Sequence, residues 1–105
     1  MTQKKSKYKS VKTEVDGIMF DSKAEARRYQ QLKLLVRAGE IQDLEFQPRY
    51  EFIINDVKIG FYKADFRYTD NGKLVVEDVK GMKTPVYNLK KKLMKAIHNI
   101  DIFET

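Results

Sequence analysis

Residues 62–81 read "YKADFRYTDNGKLVVEDVKG", and the Asn71-Gly72 pair at their centre constrains the fold more than any other feature of the chain. Asn-Gly between alternating apolar residues signals a two-residue β-hairpin, because both central residues of a type I′ turn need positive φ. In a two-residue turn Asp70 faces Lys73, and counting back along the arms sets Asp65 opposite Asp78 on one face of the sheet. Facing side chains have Cβ atoms about 4.5–5.5 Å apart, and like charges there repel. Alternation along the strand puts Lys80 on the face of Asp78 and opposite Lys63, while Glu77 and Val79 point the other way. Glu77 is therefore expected to be structural or solvated.

Two facing carboxylates gain from a cation between them, and composition limits which cation. The chain has no cysteine and one histidine, His98. Thiolate and multi-histidine metal sites are excluded, so any metal must be held by oxygen, which suits magnesium, manganese or calcium. His98 lies near the end of a helix and is expected to meet its last carbonyls. No apolar run approaches a membrane span or a signal-peptide core, so the expectation is an intracellular protein with no membrane partner.

The chain divides into a basic arm, residues 1–12, and one domain, residues 13–105. Hydrophobic residues at 42% and charged residues at 34% are enough for a single modest core. The net charge of +6 is uneven: residues 1–12 and 81–100 each hold five lysines and no acid, leaving the remainder net acidic by four. A basic periphery around an acidic middle fits a protein that grips a polyanion and holds cations at its centre.

Asp16-Gly17 marks a small hairpin, and a helix begins at Ser22 with a Ser-x-x-Glu capping box to Glu25 and ends at Gly39. Its expected core stripe is Tyr29, Leu32 and Val36, flanked by Ala24 and Leu35. Ile41 to Phe46 leads into the sheet, with Gln47 read as a loop residue before Pro48. The runs "RYEFII", "VKIGFYKADFRY" and "KLVVEDVK" predict three consecutive antiparallel strands, the first two joined at Asn55-Asp56. Thr84 and Pro85 open a second helix as N-cap and first residue, with Val86, Leu89, Leu93, Ala96 and Ile97 on its apolar side. "IDIF" predicts a final strand lying parallel beside the third. The order is helix, three strands, helix, strand.

Asp65 in "YKADF", Asp78-Val79-Lys80 in "EDVKG" and this element order resemble the PD-(D/E)XK nuclease superfamily. More narrowly, "FDSKAEARRY", "ADFRY" and "EDVKG" resemble a family of small phage-encoded proteins of unknown function assigned to that superfamily. Ala64 stands where the motif has proline. The resemblance implies an α/β (α+β) restriction-endonuclease-like core, a mixed central sheet flanked by two helices, in a phage protein working inside a bacterial host. It implies a Mg²⁺-dependent deoxyribonuclease, with Mn²⁺ as a substitute metal. Asp65, Asp78, the Val79 carbonyl and Glu25 would hold the metal, and Lys80 would assist the chemistry.

Glu25 carries two readings, a capping residue and a metal ligand. The second is favoured because Glu25 shares the helical stripe of Tyr29 and Leu32, which faces the sheet. DNA is the expected partner, met by Lys4, Lys5, Lys7 and Lys9 of the arm and by Lys63, Lys83, Lys90 and Lys91. A structure-selective role on branched DNA or a Holliday junction would require two paired cuts and hence a homodimer. The alternatives are a non-catalytic nucleic-acid-binding protein on a nuclease-derived fold and a structural or regulatory phage protein.

Overall fold

The computed structural model describes residues 11–79 and 83–105. The fold is mixed α+β, with two helices and a mixed four-stranded sheet. A hairpin of β1 (Thr13–Val15) and β2 (Ile18–Phe20) turns at Asp16-Gly17 and leads into α1 (Lys23–Arg37). Then follow β3 (Ile41–Phe46), β4 (Arg49–Ile54), β5 (Val57–Lys63), β6 (Phe66–Asp70) and β7 (Lys73–Asp78). The chain closes with α2 (Pro85–His98) and β8 (Phe103–Glu104).

The hairpin register is the predicted one. Phe66 pairs with Glu77 and Asp70 with Lys73, and Asn71 and Gly72 both have positive φ. A last strand parallel to β7 is also as predicted, but it covers Phe103–Glu104 rather than "IDIF", with Asp78 beside Glu104. The run "VKIGFYKADFRY", however, is two strands rather than one. It breaks at Ala64-Asp65, so β5 pairs with β4 in a separate ribbon while β6 sits between β3 and β7. The opposing chain bends at the same level. Gln47, read from sequence as a loop residue, takes φ +57 immediately before the buried Pro48. A residue before proline favours extended backbone, so this left-handed conformation is a strained corner. Two bonds carry the ladder round it: the Gln47 N–H donates to the Asp65 carbonyl at 2.9 Å and the Ala64 N–H to that of Pro48 at 3.0 Å.

The four-stranded sheet, in order β3-β6-β7-β8, has a core on each face. On one face α1 lays Ala26, Tyr29 and Leu32 against Phe20, Ile41, Phe66 and Tyr68. On the other, α2 and the β4–β5 ribbon bring Tyr87, Met94, Phe52 and Tyr62 onto Val76 and Ile102. Full burial of a side chain such as Leu32 contributes about 1.5–3 kcal/mol.

Both expected stripes hold in part: Tyr29 and Leu32 are buried on α1 with Leu35 packed beside them, and Leu93 and Ile97 pack against the core from α2. Val36 and Ala24 are exposed on α1. On α2, Val86 and Leu89 are 61% and 57% exposed and Ala96 also faces solvent, whereas Tyr87 and Met94 are buried. α2 offers two candidate stripes, and the one carrying Tyr87 prevails because its ring reaches Tyr62 while its hydroxyl finds an acceptor. Thr84 caps α2 as expected, accepting from the Tyr87 N–H at 3.0 Å. His98 bonds the Glu51 carbonyl on β4 through Nε2 at 2.8 Å and packs edge-on to Tyr50, rather than turning back on its own helix. Among the described residues no helix is long and apolar enough to cross a membrane.

Candidate acidic site

Asp65 sits at the corner where the chain leaves the β4–β5 ribbon for the four-stranded sheet. Its N–H donates to the Glu77 carbonyl at 3.1 Å and its carbonyl accepts from Gln47, so its backbone is held by both neighbouring strands. It lies one step beyond Phe66↔Glu77, the last regular pair of the hairpin. There its carboxyl stands beside that of Asp78, close enough for the charge of Asp78 to act on it, the juxtaposition predicted from the Asn71-Gly72 turn. Burial, then the charge of Asp78, then that of Glu25 push Asp65 up to about 8, so the pair holds a proton near neutral pH.

Each aspartate also has a fixed donor. The Val79 N–H donates to Asp65 Oδ2 at 2.7 Å. The Val79 side chain points to the other face and packs against the α1 core, as alternation requires. Asp78, 8% exposed, accepts from the hydroxyl of the buried Tyr62. Burial and that bond to Asp78 push the Tyr62 phenol well above its ordinary value, so it stays protonated and keeps donating to Asp78. Tyr62 was not foreseen as a site residue, because the bend at Ala64-Asp65 is what folds β5 back over Asp78.

Ser22 caps α1 as expected, accepting from the Glu25 N–H at 3.1 Å. Burial, then the charge of Asp21, then that of Asp78 act to raise the Glu25 carboxyl, so Glu25 lies within electrostatic reach of the pair. Among the described residues, however, no group of three or more His, Cys, Asp or Glu side chains is arranged to hold a metal ion.

Glu77 is neither solvated nor idle. It is wholly buried on the α1 face, where Arg28 donates to it through Nε at 2.6 Å and Nη2 at 3.1 Å. The Tyr68 hydroxyl donates at 2.6 Å and that of Thr105 at 3.1 Å, leaving its lone pairs well satisfied.

The expected cationic residues are distributed unequally. Lys83 and Lys91 both reach Glu104, the residue paired with Asp78, at 3.0 and 3.2 Å. Lys63 is exposed on β5 opposite Arg49, two residues before Asp65. Lys90 points elsewhere, lying 5.2 Å from the centroid of the Phe61 ring. Lys91 also lines an open groove of about 480 Å³ with Asn88, Lys92, Lys95, Asp101 and Ile102. Lys80 and the arm residues Lys4, Lys5, Lys7 and Lys9 lie outside the described residues.

Fold and site define a small α+β protein with a half-buried acid pair at a sheet corner and lysines around its rim. The chain belongs to the family described as protein of unknown function (DUF1064), which matches it over residues 5–102. No curated protein and no solved structure matches it.

Proposed function

We propose that this protein is a metal-dependent deoxyribonuclease on a restriction-endonuclease-like core. The observation that carries the reading is the juxtaposition of two carboxyl groups at a sheet corner, Asp65 half-buried and Asp78 buried. Such a pair is costly unless a proton or a cation lies between them.

The donor set fits Mg²⁺, which is commonly bound by one or two carboxylates and completes its shell with water, so a third acid is not required. Asp65 and Asp78 would hold the ion, with Glu25 lending charge from α1. When bound, the ion supplies Lewis-acid stabilisation and an acidified water. The Val79 N–H and the Tyr62 hydroxyl fix the orientation of the two carboxylates, which limits the reorganisation needed during reaction. Lys80, two residues after Asp78, is assigned to orient the attacking water or to offset developing negative charge. Lys83, Lys91 and the basic arm would meet phosphates along the DNA.

The lysines converging on Glu104 also suit a second reading, nucleic-acid binding without cleavage. Linear, single-stranded, flap and four-way-junction DNA, each incubated with Mg²⁺, Mn²⁺ or EDTA, separate the two. The nuclease reading expects metal-dependent cleavage of at least one substrate, abolished by Asp78→Ala and reduced at least ~10²-fold by Lys80→Ala. Binding without cleavage on every substrate would establish the second reading instead. Preferential cutting of the junction, together with a dimer by sedimentation, would assign the resolvase role.

A further inference from the structure

Glu104 belongs to no motif and stands next to last in the chain, yet three donors from two segments converge on it. Lys83 Nζ approaches Oε1 at 3.0 Å, while the Tyr87 hydroxyl and Lys91 Nζ approach Oε2 at 2.7 and 3.2 Å. The Tyr87 bond first, and then Lys83, hold its carboxyl down to about 2, so it is ionised at every working pH.

Its place in the sheet gives this convergence a direction. Glu104 on β8 pairs with Asp78 on β7, and two tyrosines stand over the pair. Tyr62 donates to Asp78, Tyr87 donates to Glu104, and their rings lie 6.4 Å apart. The Thr105 N–H donates to the Asp78 carbonyl at 3.1 Å, so the strand bearing Glu104 is tied to the main chain of Asp78 itself. Lys83 immediately precedes Thr84, the N-cap of α2, and Lys91 stands two turns into that helix. Without Glu104, two long flexible side chains would have no partner directing them to this rim.

Resting on the nuclease reading, we propose that Glu104 is a positioning residue that holds Lys83 and Lys91 beside Asp78, where their ammonium groups meet a backbone phosphate of the bound nucleic acid. One carboxylate facing two ammoniums leaves a net positive charge on the rim, and the phosphate completes the neutralisation. Glu104 acts through the lysines and does not itself touch the reacting atoms.

Two independent assays test this on the full chain, comparing wild type, Glu104→Gln, Glu104→Asp, the double variant Lys83→Ala/Lys91→Ala and the triple variant that adds Glu104→Gln to it. In EDTA, where nothing is cut, binding of a fluorescein-labelled duplex is followed against salt. Each lysine lost from a phosphate should lower the slope of log affinity against log salt by about 0.9. Glu104→Gln and the lysine double variant should therefore flatten it alike, with Glu104→Asp in between. With Mn²⁺, Glu104→Gln should lower kcat at least ~10-fold with a smaller change in KM, and add no further loss in the lysine-less background. A wild-type salt slope in Glu104→Gln overturns the proposal, as does a fully additive loss in the triple variant. Should Glu104→Gln fail to fold, a Glu104→Asp variant whose salt slope stays at the wild-type value while that of the double variant flattens overturns it too. Wild-type protein that binds but never cuts would refute the nuclease reading alone, leaving the salt slopes to decide the role of Glu104.

Discussion

Glu77 and Asp78 are consecutive residues of β7, both buried, and they are held by opposite layers of the molecule. Glu77 faces α1 and receives Arg28, Tyr68 and Thr105. Asp78 faces the ribbon and α2, where it meets Tyr62 and a second acid, Asp65. One carboxylate takes a guanidinium and two hydroxyls, and the other takes a phenol beside a second acid. Structure and proposed chemistry thus occupy adjacent residues of a single strand, separated by its alternation.

The acid pair makes stability depend on pH in an unusual direction. Asp65 is raised from an ordinary 3.8 to about 8 in the folded protein, so between those values the folded state binds more protons than the unfolded one. Stability then falls as pH rises through that window. Without metal, the melting temperature should decline from pH 5 to pH 8, and Asp65→Asn should remove most of the decline. Saturating Mg²⁺ should oppose it at pH 8, because the ion binds the ionised pair of the folded state. A metal-free melting temperature that rises between pH 5 and pH 8 would contradict the assignment.

Tyr62→Phe deletes one oxygen and keeps the ring. Asp78 then loses a hydrogen bond made to a charged acceptor, which costs about 1.5–3 kcal/mol. Denaturant unfolding should show a lower midpoint with an unchanged m-value. Divalent-ion affinity should weaken as well, since the orientation of Asp78 is no longer fixed. An unaltered midpoint would mean that water replaces the phenol without loss.

Arg28→Ala strands the wholly buried Glu77 without its guanidinium. Removing one partner of a buried ion pair costs about 3–5 kcal/mol. The loss should be largely recovered in Arg28→Ala/Glu77→Gln, whose neutral amide keeps Tyr68 and Thr105 as partners. Comparable destabilisation in the single and double variants would show that Arg28 contributes through packing and not through charge.

Deleting residues 1–10 removes Lys4, Lys5, Lys7 and Lys9. DNA affinity at physiological salt should fall, and the salt slope should flatten by about 0.9 for each lysine that meets a phosphate. Melting temperature and metal affinity should hardly change, as the sequence of this segment holds no apolar cluster that could anchor it to a core. Coincident slopes for full-length and shortened protein would reduce the arm to a solubilising tail.

By itself the sequence determined what is decided by a few neighbouring residues. The Asn71-Gly72 turn set the hairpin register and so brought Asp65 to Asp78. Ser22 and Thr84 marked the helix starts through side-chain oxygens that accept from N–H groups three residues on. Tertiary structure decided whatever depends on which surfaces meet. α2 carries two plausible apolar stripes, and only the presence of Tyr62 and Glu104 selects the one with Tyr87. The long second strand bends at Ala64-Asp65 because the opposing chain turns at Gln47-Pro48, which no local propensity of "FYKADF" records. Arg28 finds Glu77 across 49 residues, and Glu104 reaches the site through a parallel pairing closed over a whole helix. Backbone turn chemistry is local and can be read along the chain. Compensation of a buried charge is settled only when separate layers pack, so it is invisible until they do.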